Sequence, residues 1–148
     1  MKIRAYSKND KQAVLELLKS NTPKYFDPSE EKDFISYLED EIEDYFVVEK
    51  NNLIIGSGGI NYFYIEKVAR ISWDMISSKA QGRGIGKRLL LHRIDRIKQN
   101  PLIDHIVVRT SQHAYRFYEK LGFGVEKIEK NFWAKDFDLY LMQMVTHT

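Results

Sequence analysis

Gly82, Gly84 and Gly86 fall within five residues, between an apolar, β-prone segment (Ile71, Trp73, Met75, Ile76) and a helical pattern (Leu89, Leu90, Ile94, Ile97). The stretch from Gln81 to Lys87 therefore reads as a glycine turn joining a strand to a helix start. Little side-chain bulk lets an anion approach the backbone, and the first N–H groups of a helix have no intrahelical partner, so they can point at a phosphate. The chemistry expected here is a phosphate cradle, with Gln81, Gly82, Arg83, Gly84, Ile85, Gly86 and Lys87 as its residues.

Spacing decides between cradles. A P-loop needs Gly, four residues, then Gly-Lys-Ser/Thr; here Gly86-Lys87 is followed by Arg88, and the first glycine falls on Gln81. A dinucleotide fingerprint needs a third glycine where Lys87 stands, and its ribose-binding acid should end the next strand, which Asp104 instead precedes. Both fail. The stretch matches Gln/Arg-x-x-Gly-x-Gly/Ala through Gln81, Gly84 and Gly86, and Ala114, Phe117, Tyr118, Gly122 and Phe123 match Ala-x-x-Phe-Tyr-x-x-x-Gly-Phe. In these two motifs the chain resembles the GNAT superfamily of acetyl-CoA-dependent N-acetyltransferases, over its whole length.

The resemblance implies a GNAT-like domain in which acetyl passes from acetyl-CoA to a primary amine by direct attack in a ternary complex, without a metal. In that family the strand before the cradle splays from the next parallel strand, and the pantetheine lies in the cleft. Carried over, the backbone of Met75 and Ile76 would hold it, with the Ile76 N–H polarising the acetyl carbonyl. Tyr118 would protonate the departing thiolate; a phenol is protonated at neutral pH and acidic enough to respond to a developing thiolate. Where the family often has Asn, this chain has Ser111, which suits either a hydrogen bond to the cofactor or the N-cap of the following helix.

Asp74 is an acid on a mainly apolar strand, which is costly unless paired or functional. Strand alternation puts it on a face with Ser72 and Ile76, opposite Trp73 and Met75. It reads as a general base, as an anchor for the acceptor amine, or as half of a structural salt bridge. The family's frequent catalytic acid lies earlier on this strand, where Arg70 stands. Tyr118 likewise has a second reading as a core tyrosine, and Gly84 and Gly86 as aids to helix packing.

These residues must be positioned by one domain, residues 1–148, of ordinary globular composition (43% hydrophobic, 30% charged). The absence of cysteine excludes disulfides and thiolate catalysis, the four histidines lack ligand spacing, and no run is long and apolar enough for a signal peptide or membrane span. A cytoplasmic protein is expected. Ten acids lie between Asp27 and Lys50 against two lysines, while seven basic residues lie between Lys79 and Lys98 against Asp95. In the family the first two helices help wall the acceptor site, so the resemblance implies that these acids favour a cationic acceptor, with a solvated helix face as the other reading; the basic residues Lys87, Arg88, Arg93, Arg96 and Lys98 point several ways around a helix and read as a solvated surface. Nucleic-acid binding, which wants one basic face, is not expected. A non-catalytic acyl-CoA-binding sensory module on the same fold is the second reading.

The elements read in order as a strand at Lys2 to Tyr6, a helix started by Ser7 and Asp10, and a second helix started by Asp27, Pro28 and Glu30 with Phe34, Ile35, Leu38 and Ile42 on one face. A hairpin turns at Asn51-Asn52, with Gly56, Gly58 and Gly59 marking a bend or close packing. A strand from Val68 to Ile76, the cradle helix and a short strand from Ile106 to Arg109 form a parallel crossover. A helix from Gln112 to Leu121 and a hairpin of Val125 to Glu129 with Asp138 to Val145 close the chain. The fold class expected is mixed α/β: three layers around a mostly antiparallel sheet with one splayed parallel pair.

Overall fold

The computed structural model describes residues 1–147. Seven strands form one sheet: β1 (Lys2–Ala5), β2 (Asp44–Lys50), β3 (Leu53–Phe63), β4 (Val68–Ile76), β5 (His105–Thr110), β6 (Gly124–Ala134) and β7 (Phe137–Val145). Their spatial order is β1-β2-β3-β4-β5-β7-β6, and every neighbouring pair is antiparallel except β4 with β5. The helices are α1 (Lys11–Ser20), α2 (Glu30–Ser36), α3 (Ile85–Lys98) and α4 (Tyr115–Lys120).

Two cores flank the sheet, which makes three layers. Alternation along β2 sends Tyr45 and Val47 into a core with Val14, Leu17, Leu18, Phe34 and Tyr37 of the first helical layer. Phe46 and Val48 go to the opposite core, with Leu89, Leu90, Ile94 and Ile97 of α3. Asn51 and Asn52 turn the β2–β3 hairpin at φ 53° and 65°, the left-handed pair that a two-residue turn needs.

Local irregularities depart from the expected pattern. The helix entered at Asp27, whose N–H donates to Glu30 Oε2 at 2.8 Å, widens to a π turn over Tyr37–Glu41. Tyr37 and Leu38, three and four residues after Phe34, are buried beside it, whereas Ile35 is only half-buried. The expected Gln112 to Leu121 helix is shorter: Ser111 closes a preceding turn, accepting from Ala114 N at 3.1 Å and Tyr115 N at 2.9 Å through its carbonyl.

A bulge in β4 corrects the facing of Ser72. Gly59 pairs with Ser72 and Ser57 with Met75, so Trp73 and Asp74 both oppose Gly58, and Trp73 takes φ 49°. Ser72 consequently lies on the same side as Trp73, bonded through Oγ to Asn61 Oδ1 at 2.7 Å, and Asp74 passes to the α3 side with Ile76.

Candidate active site

β4 and β5 pair from Val68↔His105 to Ile71↔Val108 and no further, so they part beyond Ile71. The gap opens into a cleft of about 1000 Å³ lined by Asp74, Met75, Ile76, Gln81, Gly82, Gly84, Ile85, Gly86, Lys87, Ser111 and Tyr118. Of the residues singled out from the sequence, Arg83 is the exception; it is an exposed residue of the turn. Ser77 N donates to Ile55 O on β3 at 2.8 Å, so alternation turns the Ile76 N–H toward the side vacated by β5.

At the cradle, Gly82 and Gly84 take φ 81° and 77°, and Gly84 is the N-cap of α3. The first N–H to bond back is that of Arg88, to Gly84 O at 3.1 Å. Among the described residues the N–H groups from Gln81 to Lys87 have no acceptor, which leaves them available to an anion. At Gly86 a Cβ would meet Phe117 Cζ at 3.4 Å and Ile76 Cγ1 at 3.5 Å, ordinary contact distances, so helix packing alone does not demand glycine there. The Gln81 side chain does something the motif did not reveal, donating to Asn21 Oδ1 at 2.7 Å and Ile76 O at 3.1 Å. Asn21, the residue that caps the C-terminal end of α1, also donates to Ile76 O at 2.8 Å and so ties α1, β4 and the cradle together.

Beneath the gap lies a buried ionic group. Arg93 is fully buried, donates through Nη1 to Gly59 O at 3.1 Å and through Nε to Leu89 O at 3.3 Å, and pairs through Nη2 with Asp74 Oδ1. This corrects the solvated reading of Arg93. Its position three after Leu90 and four before Ile97 put it on the buried stripe, which was the available signal. The Tyr118 hydroxyl donates to Asp74 Oδ2 at 2.7 Å, so both carboxylate oxygens are engaged. Burial, the Asp74 charge and this bond push the Tyr118 phenol well above its ordinary value, against a smaller opposing pull from Arg93.

Gly58 makes room for this group. A Cβ there would lie 2.5 Å from Asp74 Oδ1 and 2.7 Å from Arg93 Nη1. Gly58→Ala is therefore expected to lower stability by about 1–3 kcal/mol, the usual cost of overpacking, as read by urea denaturation.

Glu30 also lines the cleft and is buried. Burial pushes its carboxyl up to about 7; the Asp27 N–H bond opposes this, and the charges of Asp27 and Asp33 add to it. Such a group binds its proton more tightly folded than unfolded. Its contribution is full below about pH 4.5 and is lost as pH rises toward about 7. Glu30→Gln keeps an acceptor for Asp27 N–H and is expected to be more stable than the parent above pH 7 by about 2 kcal/mol, with no gain near pH 4, in urea melts across that range.

Among the described residues no group of three or more His, Asp or Glu side chains could hold a metal, and no helix is long and apolar enough to cross a membrane.

A sheet of this order, with a parting parallel pair and a glycine cradle at the start of α3, is the fold of the GNAT acetyltransferases. The model of the acetyltransferase (GNAT) family matches residues 11–123, and the chain belongs to that family. Its structure is similar to that of the ribosomal-protein-S18-alanine N-acetyltransferase from Escherichia coli, at 20% identity over 99% of this chain and 94% of that one, TM-score 0.83. An aminoglycoside 6'-N-acetyltransferase complexed with coenzyme A is similar at 17% identity over 100% and 98%, TM-score 0.79. The spermidine N-acetyltransferase from Vibrio cholerae, in complex with CoA and spermine, is similar at 20% identity over 98% and 95%, TM-score 0.75. No curated protein sequence matches the chain.

Proposed function

We propose that this single domain transfers acetyl from acetyl-CoA to a primary amine by direct attack in a ternary complex. The observation that carries the reading is the coincidence in one cleft of three features: the parted β4 and β5, the unpaired N–H groups of the cradle, and Tyr118. Each feature takes one part of the cofactor. The N–H groups from Gln81 to Lys87 would hold the pyrophosphate, with the α3 dipole favouring its charge. Met75 and Ile76 would hold the pantetheine through their main chain, Ser111 would bond to it, and the Ile76 N–H would polarise the carbonyl.

Tyr118 would protonate the leaving thiolate, its hydroxyl turning from Asp74 to the sulfur. Asp74 then acts as the holder of that hydroxyl, because both its oxygens are engaged. The ammonium proton would leave through Glu30, whose Oε2 takes the Asp27 N–H and whose raised pKa suits a base at neutral pH. Glu30, Asp33 and Glu41 line the acceptor half of the cleft and would draw a positively charged amine.

Acetyl-CoA is expected to raise the melting temperature, as a ligand of the folded state does, and NAD and ATP to raise it much less. Gly84→Asp, which sets a carboxylate against the pyrophosphate, is expected to abolish the acetyl-CoA shift. Equal stabilisation by the three nucleotides, or a full shift in Gly84→Asp, would remove the cofactor assignment.

A further inference from the structure

Two arginines stand in the acceptor half of the cleft without a counter-ion. Arg70 on β4 and Arg109 on β5 both line it. Arg70 is in register with Val107, and Arg109, two residues on, shares Val107's face, so the two side chains are diagonal neighbours across the parallel pair. That face is the one carrying Ser72 and Trp73, away from α3.

Aromatic rings hold each guanidinium. Arg70 lies 4.8 Å from the Phe63 ring centre, and Arg109 lies 5.4 Å from that of Phe132 and 5.2 Å from that of Trp133. Among the described residues neither guanidinium makes a salt bridge or donates a side-chain hydrogen bond. Arg70 is half-buried and Arg109 reaches solvent at the cleft mouth; Arg96, also exposed, pairs with Asp44 at 3.1 Å, and buried Arg93 pairs with Asp74. Burial and the charge of Arg70 together lower the pKa of Arg109, as expected of two cations set side by side without an anion. A guanidinium is a planar fork of N–H donors suited to a carboxylate or phosphate, and an aromatic face fixes its orientation.

We propose that Arg70 and Arg109 form an anion subsite, and that the acceptor is an amine that also carries a carboxylate or phosphate. This rests on the acetyl-transfer reading for the amine and adds the second group that the acceptor must bear. The cleft is then bipolar: the acids of the α2 side face the ammonium, and the arginines of the sheet face the anion. A polyamine would satisfy the first half and leave the arginines unpaired.

The test has a binding arm and a turnover arm, each with matched amines: β-alanine against β-alanine amide, and O-phosphoethanolamine against ethanolamine. In the binding arm, CoA fills the cradle so that phosphate cannot occupy it, and the acceptors are titrated by calorimetry. The anionic member of at least one pair is expected to bind at least about tenfold more tightly than its neutral partner, in keeping with charge-assisted bidentate bonds. Which pair shows the larger gap distinguishes carboxylate from phosphate. Arg70→Gln and Arg109→Gln are each expected to shrink that gap to less than about threefold, while the melting shift given by CoA persists. In the turnover arm the same preference is expected in KM for thiol release from acetyl-CoA.

Binding preference without thiol release would support the anion subsite and count against acetyl transfer. Equal binding of both members of both pairs, or a gap unchanged in both variants, would overturn the subsite even if every amine is acetylated.

Discussion

Tyr118→Phe is expected to fold, to bind acetyl-CoA and to turn over at least about a hundredfold more slowly, the usual effect of removing a general acid. The hydroxyl has two jobs in this account, and they are separable. Its bond to Asp74 Oδ2 is structural, and losing a hydrogen bond to a charged group costs about 1.5–3 kcal/mol of stability. That loss leaves the ring in place, packed edge-on against Phe117 and Phe123, so the cleft keeps its shape. The rate effect comes only from the proton that the phenol delivers to sulfur. Because burial and Asp74 hold the phenol well above its ordinary value, it stays protonated throughout the neutral range and contributes no basic limb there. Single-turnover kinetics with acetyl-CoA prebound separate the two jobs. A variant that loses stability but keeps more than about half the parent rate would show Tyr118 to be a holder of Asp74, with the proton supplied elsewhere.

Arg93→Met is expected to be the most destabilising single change, at about 3 kcal/mol or more. It removes one partner of a buried ion pair and strands the other, Asp74, whose side chain is only 18% exposed. In a domain of this size that corresponds to a fall of roughly 6–12 °C in Tm. Asp74→Asn placed on top of Arg93→Met removes the stranded charge and keeps an acceptor for the Tyr118 hydroxyl, so the double variant is expected to recover much of the loss. A double-mutant cycle in urea reads this directly. Additive losses, with no recovery, would mean that Arg93 stabilises through packing of its stem and its bond to Gly59 O, and not through Asp74.

Local signals carried the parts of this structure that local chemistry determines. The glycine cradle, the Asn51-Asn52 turn and the alternation of β2 needed only φ preferences and a period, and the strands, the crossover and the mixed sheet followed from them. The two motifs led to the family before any contact was known.

What escaped depends on partners distant in sequence. Arg93 looks like any surface arginine until Asp74 on β4, Gly59 on β3 and the space at Gly58 are brought around it. The bulge at Trp73 arises between two strands, so a period read along one of them assigns Ser72 to the wrong face. Glu30 shows the N3 acid of a helix start in sequence, but its burial, and hence its raised pKa, comes from the cleft wall. Gln81 matches the motif in a conventional way, yet its contacts with Asn21 and the Ile76 carbonyl required α1 to be placed first.

The central claim is that the cleft transfers acetyl to an amine, and free-thiol release from acetyl-CoA tests it most directly. The assay is run with and without each amine of a panel that includes the paired acceptors above, and the acceptor product is identified by mass spectrometry. The account predicts amine-dependent thiol release, matched mole for mole by acetylated amine, and reduced about a hundredfold in Tyr118→Phe. Tight acetyl-CoA binding with no amine-dependent release from any member of the panel would contradict it and make the domain an acyl-CoA-binding module on an acetyltransferase fold.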